Sequence, residues 1–386
     1  MRVFRAKGAT LATCATIMNL RVVTFNVLAP SLRVCEPLNK LPWKDRQRDC
    51  CAAIHEIDAD IVALQEWDFY TDGFSDLYME SFKNKYEIFT CPRPGGKKEG
   101  LGLMLRKDCF EGIMIDRLPL LPLSCHRAAI MARMRHVESG RLVSVLNTHL
   151  TVAHTGNTWD IPKNRPLQME QILNFIFAMT PENTVKLLCG DLNADHLEIF
   201  PPKQSEGCPA YTVEQVAAPL HMAFEAGFSS ALDDSPDRGE GRAISHVSSY
   251  GTGHDGCVDY IFYNSRGRKG KIEDPYIVQQ KKDAQNDRTD KTSKAQKNTV
   301  ISLLDAHLYP RNISASTPWS TKTAWGGGVK GMLSDHRPVV ADFALAVTPE
   351  RTEQLQRAGR RSPILSARSV LLALLAAAAA AAFRYG

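Results

Sequence analysis

Strand-length apolar runs recur along the chain, at Leu20 to Phe25, Ile61 to Leu64, Leu101 to Leu105, Ile130 to Met134, Leu142 to Leu146, Val185 to Cys189, Val258 to Tyr263 and Val339 to Phe343. Between some of them the apolar positions fall at a spacing near 3.6, which predicts helices over Trp43 to Ile57, Pro166 to Met179 and Val213 to Phe228. Strands and helices mixed over the whole length imply a layered α/β domain from about residue 20 to 345. Pro30 and Pro42 bound a loop, and Pro92 to Gly96, reading PRPGG, is a turn between two strands.

Four stretches break the pattern. A segment over 264–300 is rich in Lys, Arg, Asp, Gln and Asn and poor in apolar residues, which reads as a solvated insertion or as a nucleic-acid-binding loop. Residues 346–369 read as a polar linker leaving the domain. Residues 370–386 then form a hydrophobic tail, with a Leu/Ala run of 14 residues from Val370 to Phe383. As a helix that run reaches about 21 Å, short of a hydrocarbon layer of roughly 30 Å. It fits a peripheral helix giving weak membrane association, and equally an Ala-rich tail with no such role. Residues 1–19, with Arg2, Arg5 and Lys7 and no acid, have the composition of an organelle transit peptide and also of an ordinary basic terminus.

With 386 residues, 44% of them hydrophobic, the chain can bury a large core. Its net charge of +5 accommodates a phosphate-rich partner without demanding one. Ten cysteines include no CxxC pair. They read as reduced thiols in a cytoplasmic setting, with a mitochondrial or membrane-associated location as the alternative that the two tails suggest.

The chemistry lies where polar residues interrupt the apolar runs. RVVTFN ends in Asn26, DIVALQE ends in Glu66, and LVSVLNTHL holds His149. KLLCGDLN ends in Asp191 and Asn193, CVDYIFY holds Asp259, and SDHRP sets Asp335 and His336 ahead of PVVADF. Polar residues at strand ends converge on one rim of a sheet, where sites are built. Hard oxygen donors such as Glu66 and Asp191, without Cys or His at zinc spacing, suit magnesium or manganese. His149 and His336 can donate to phosphoryl oxygens or move protons near neutral pH. Asn26 and Asn193 can hold a water or a phosphate oxygen without adding charge. Each motif alone also reads as a turn or a cap; together they fit metal-assisted hydrolysis of a phosphate ester.

TFNVLAP, DIVALQE, LNTHL, CGDLNAD, CVDYIFY and SDHRPVV, in that order, resemble the endonuclease/exonuclease/phosphatase superfamily. The resemblance implies a DNase I-like, four-layered α/β (α+β) sandwich of two mixed β-sheets flanked by helices. It also implies a metal-dependent hydrolase in which Glu66 is the main magnesium ligand, supported by Asn26, with Asp335 completing the metal and water network. Asp191 would orient or deprotonate the attacking water, Asn193 would hold the phosphate, His149 would stabilise the developing charge, and Asp259 would poise His336.

FNVLAP, NTHL and VDYIFY are most similar to the CCR4-type branch, which implies RNA or a nucleotide-like phosphodiester as substrate and a 3′ exonuclease or phosphodiesterase activity. Deadenylases of that branch sandwich a base between a Pro and a Phe; His154 and His254 stand at those positions here. Arg165, opening an amphipathic helix with Gln168, and His246, in SHVSS, are further candidates to meet substrate. Two alternatives remain open: a sphingomyelinase-like or inositol-phosphate-type phosphoesterase, since SDHRPV is shared with those enzymes, and an inactive nucleic-acid-binding scaffold.

Overall fold

A computed structural model describes residues 17–32, 43–152, 161–195, 213–234, 245, 257–264, 301–309 and 336–361. Its first unit is strand β1 (Ile17–Asn26), helix α1 (Trp43–Ile57) and strand β2 (Ile61–Asp68), with β1 and β2 parallel neighbours. Parallel strands need such a crossover, and α1 supplies it. The same unit recurs as β7 (Leu142–His149), α3 (Ile161–Met179) and β8 (Val185–Asp191), again with the two strands parallel. Each sheet is completed by antiparallel neighbours.

The first sheet runs β11 (Ile301–Leu308), β12 (Val339–Ala346), β1, β2, β4 (Glu99–Arg106), β3 (Tyr86–Pro92). The second runs β5 (Phe110–Leu120), β6 (Arg127–His136), β7, β8, β10 (Asp259–Tyr263), β9 (Ser229–Ser230). Both are mixed and six-stranded, flanked by helices, the DNase I-like sandwich that the motifs imply.

Strand periodicity builds the layers. Leu20, Val22, Ile61 and Ala63 pack into the core between the sheets, together with Val143, Val145, Leu187 and Cys189. The alternate residues Val23, Phe25, Val62 and Leu64 face the other way, under α1 and α2 (Phe74–Phe82). On the far side Leu146 and Leu188 join Met169, Ile172 and Ile176 of α3 and Leu220 of α4 (Val213–Glu225). Strands covered on both faces read as unbroken apolar runs, which is why the central ones are visible in the sequence.

Several elements differ from the sequence expectation. Helix α3 begins earlier than expected, at Ile161. Helix α4 stops at Glu225 because Gly227 takes φ +89°, with the Phe228 N–H returning to Ala223 O at 3.0 Å. The stretch read as a polar linker contains a helix, α5 (Pro349–Arg361). Pro349 suits a first helical position, and Thr348 Oγ1 accepts the Arg351 N–H at 3.3 Å. Among the described residues no helix is long and apolar enough to cross a membrane. The hydrophobic tail, the basic N-terminus and nearly all of the charged insertion lie outside the described residues.

Candidate active site

Both βαβ units end on the same rim. Asn26 closes β1, and Glu66 lies near the end of β2; His149 and Asp191 close β7 and β8. The carboxyl ends of parallel strands are where open α/β sheets place their ligands. Register then fixes the neighbours: His149 and Asp259 both pair with Asp191, one from each side. The pairing of β2 with β4 shifts between Gln65 and Trp67, so Glu66 is the extra residue of a bulge, at φ +61°. Bulges and left-handed non-glycine residues concentrate at functional sites, because they re-aim a side chain at some cost.

Asn26 joins the two sheets. Its Nδ2 donates to Glu66 Oε1 at 3.1 Å and to Asp191 Oδ2 at 3.0 Å, and lies 3.4 Å from His336 Nε2. Its own Oδ1 accepts the Leu28 N–H at 3.0 Å, which fixes the amide's orientation. Glu66 Oε2 accepts the Ala29 N–H at 3.0 Å. Asp191 Oδ1 accepts the Asn193 N–H at 2.9 Å, while Asn193 Nδ2 donates to Leu150 O at 3.1 Å.

The histidines complete the cluster. His336 Nδ1 is 2.8 Å from Asp259 Oδ2, so the carboxylate holds the ring, and His336 Nε2 turns toward Asp191 Oδ2 at 3.6 Å. His149 Nε2 is 3.4 Å from the same oxygen. All of these side chains are buried except Asn193, which is half-buried. Burial raises the Asp191 carboxyl above the usual carboxylate range; His336 opposes that, Asp259 adds to it, and the Asn26 and Asn193 N–H bonds oppose it. One ligand atom each from Asp191, Asp259 and His336 lie within 4.8 Å of one another. With Glu66 beside them the donors are mostly hard carboxylate oxygens, which fit a divalent cation of the magnesium type, while Asn26 turns its Nδ2 to those carboxylates.

Asn26, Glu66, His149, Asp191, Asn193, Asp259 and His336 are thus brought together. Asp335, His154, His246 and His254 lie outside the described residues. Arg165 is buried in α3, not on the surface, and its Nε donates to Thr151 O at 2.7 Å. With Gln168, which bonds Thr151 on both N–H and hydroxyl, it ties α3 to the segment after His149.

Sequence reading missed the support beneath the site. Gln65 Nε2 donates to Asn147 Oδ1 at 2.7 Å and to Thr24 Oγ1 at 3.0 Å, and Asn147 Nδ2 donates to Leu64 O and Gly102 O. This polar layer crosses the otherwise apolar core directly behind Asn26 and Glu66. Its signal was a polar residue one or two positions ahead of a motif residue: Thr24 before Asn26, Gln65 before Glu66 and Asn147 before His149. Ser245 was missed too; its hydroxyl accepts the Val258 and Asp259 N–H groups and steadies the strand end that carries Asp259. Arg127, buried at the head of β6, is a third.

Residues 23–280 match the model of the Endonuclease/Exonuclease/phosphatase family. Nocturnin of Drosophila melanogaster is 25% identical over 197 residues, covering 47% of this chain and 29% of that protein. The match therefore spans under a third of that relative's length. Among solved structures, the human Nocturnin catalytic domain with bound sulfate superposes with a TM-score of 0.54 at 20% identity, covering 86% of this chain and 97% of that one. ANGEL2, a 2′,3′-cyclic phosphatase, gives 0.57 at 17% identity, covering 86% and 96%. TDP2 of D. rerio with single strand DNA product gives 0.52 at 16% identity, covering 84% and 98%. At these identities the likeness is one of fold.

Proposed function

The chain belongs to the endonuclease/exonuclease/phosphatase family, and from that premise we propose that it hydrolyses phosphodiester bonds of RNA or of a nucleotide with the help of magnesium or manganese. The observation that carries this reading is the amide of Asn26 spanning Glu66 and Asp191, one from each sheet, beside the Asp259–His336 pair. Sulfate bound to the Nocturnin domain, the cyclic-phosphatase activity of ANGEL2 and the DNA product on TDP2 support a phosphate-ester substrate of nucleotide type.

Glu66 would hold the cation, its carboxylate oriented by the Asn26 Nδ2, with Asp335 as the further contributor the motif suggests. When bound, it would polarise a phosphoryl oxygen and make a nearby water more acidic. Asp191, its carboxyl raised by burial, is a stronger base than an exposed carboxylate and takes the proton of the attacking water. Asn26 and Asn193 keep that carboxylate in one orientation. His336, its Nδ1–H held by Asp259, turns the lone pair of Nε2 toward the water and substrate, and His149, on the opposite flank of Asp191, offers a ring N–H to the phosphoryl oxygens.

Purified protein offered poly(A), mixed RNA, a 2′,3′-cyclic nucleotide, a dinucleotide and sphingomyelin, with magnesium or manganese, tests the reading against a Glu66→Ala control. Metal-dependent turnover of the RNA or nucleotide substrates, lost in the control, is expected. Turnover of sphingomyelin alone replaces the substrate class with a phospholipid. RNA binding without turnover of anything under either metal makes the protein a scaffold.

A further inference from the structure

Helix α1 opens on WKDRQRD, a run that reads as solvent-facing, and Lys44, Asp45 and Arg48 are exposed. Arg46 and Gln47 are fully buried instead. The Arg46 guanidinium donates from Nη1 to Val27 O at 2.8 Å and from Nη2 to Leu28 O. Gln47 Nε2 donates to the same two oxygens, at 2.9 and 3.3 Å. Tyr78 of α2 gives its hydroxyl proton to Gln47 Oε1 at 2.7 Å, which fixes the way that amide faces. Leu28, whose Cα joins the two gripped peptides, stands at φ +54°. A leucine rarely adopts that left-handed conformation, so the backbone here has to be held by its surroundings.

Each gripped carbonyl has an N–H on the far side of its peptide plane, because in a trans peptide the two groups point in opposite directions. Val27 O and the Leu28 N–H share one plane, and that N–H goes to Asn26 Oδ1 at 3.0 Å. Leu28 O and the Ala29 N–H share the next, and that N–H goes to Glu66 Oε2 at 3.0 Å. Asn26 Nδ2 in turn supplies the other oxygen of the same carboxylate, Glu66 Oε1, at 3.1 Å. Both of these bonds to Glu66 therefore lead back, through one planar peptide each, to Arg46 and Gln47. Charge adds to geometry: a guanidinium on a peptide carbonyl polarises that peptide and strengthens its N–H as a donor.

We propose that Arg46 and Gln47 are positioning residues of the metal site, gripping two peptide planes from α1 so that Glu66 presents its carboxylate to the cation in one orientation. The proposal deepens the phosphoester reading and rests on it. The helix that makes the crossover from β1 to β2 thereby also sets the donor geometry at the ends of both strands.

The test titrates magnesium, and manganese in a parallel series, into wild type, Gln47→Met, Arg46→Met and Arg46→Lys by calorimetry, with the metal-dependent rise in melting temperature read alongside. Rates on bis(4-nitrophenyl) phosphate are measured at varied metal concentration. Tyr86→Phe is the control: the Tyr86 hydroxyl donates to Ala59 O at 2.6 Å, a buried tie just past the far end of α1. Loss of a group that orients a metal ligand is expected to weaken metal binding about tenfold or more in the two methionine variants. Arg46→Lys keeps the charge but not the fork that spans both carbonyls, so its affinity should fall between wild type and Arg46→Met. Tyr86→Phe should melt lower and yet keep its metal affinity within about twofold of wild type. Metal affinity within about twofold of wild type in folded methionine variants, or an equal loss in Tyr86→Phe, overturns the proposal. So does a wild type that binds neither metal. Should the methionine variants fail to fold, Arg46→Lys decides, and an affinity equal to wild type overturns the proposal. The metal titration needs no turnover: a wild type whose metal affinity depends on Arg46 and Gln47 but which hydrolyses no ester defeats the functional reading and leaves this one standing.

Discussion

Asn26 Nδ2 lies 3.0 Å from Asp191 Oδ2, a bond between residues 165 positions apart that couples the rim of one sheet to the rim of the other. The same nitrogen serves Glu66, so one amide sets the separation of a metal-type carboxylate and a base. Asn26→Ala leaves both buried carboxylates short of a donor. It is expected to cost about 1–3 kcal/mol of stability and tenfold or more in kcat. Urea unfolding and steady-state kinetics check the two effects, and unchanged kcat in a folded variant would detach Asn26 from the chemistry.

Asp191 sets the acid side of the pH profile. Burial disfavours its charged form, and a base works only when ionised, so activity should rise with pH through a value above the roughly 3.9 of an ordinary aspartate. The stability sign is opposite. With the folded pKa raised, the native state binds this proton more readily than the unfolded one, so ionisation of Asp191 weakens the fold as pH rises through the raised value. Without metal, Asp191→Asn is therefore expected to melt no lower than wild type near neutral pH, and with metal supplied it is expected to lose activity. A melting temperature clearly below wild type there would contradict the assigned cost.

Much of this site was legible because its residues sit where they break a pattern. Asn26, His149 and Asp191 end their strands and Glu66 lies near the end of its own, each after a mostly apolar run, because β1, β2, β7 and β8 are covered on both faces. Edge elements carry no such signal: β5 leaves much of its length exposed, and α5 has no apolar stripe to count. Arg127 escaped for a different reason. A lone arginine ahead of an apolar strand reads as a surface charge, and only the pairing of β6 with β7 brings it beside His149. The bulge at Glu66 is likewise a tertiary fact, created by the slip of β2 against β4 and not encoded in local propensity.

Asp259 acts on the chemistry through His336. Its Oδ2, 2.8 Å from Nδ1, keeps the proton on that nitrogen and leaves Nε2 to face Asp191 and the substrate. An amide at the same place can present its NH2 group instead and reverse the tautomer. Asp259→Asn is expected to lower kcat on the order of a hundredfold or more, with KM and melting temperature little changed. Comparable losses in kcat and in stability would assign Asp259 to the fold.

Gly190 shows how tightly the second sheet is drawn together to place Asp191. It pairs with Thr148 across the parallel β7–β8 contact, at φ +151°, and a Cβ there would stand 2.1 Å from the Thr148 carbonyl oxygen. The obstacle is backbone in a central strand, which cannot swing aside as a side chain would. Gly190→Ala must therefore part β7 from β8, moving His149 away from Asp191 as well as weakening the core. The expected cost is about 3 kcal/mol or more, read as a lower urea midpoint at an unchanged slope. Because both flanks of Asp191 depend on this spacing, residual folded protein should lose kcat in excess of its folded fraction; activity that simply tracks the amount folded would show that the strands had closed again around the methyl group.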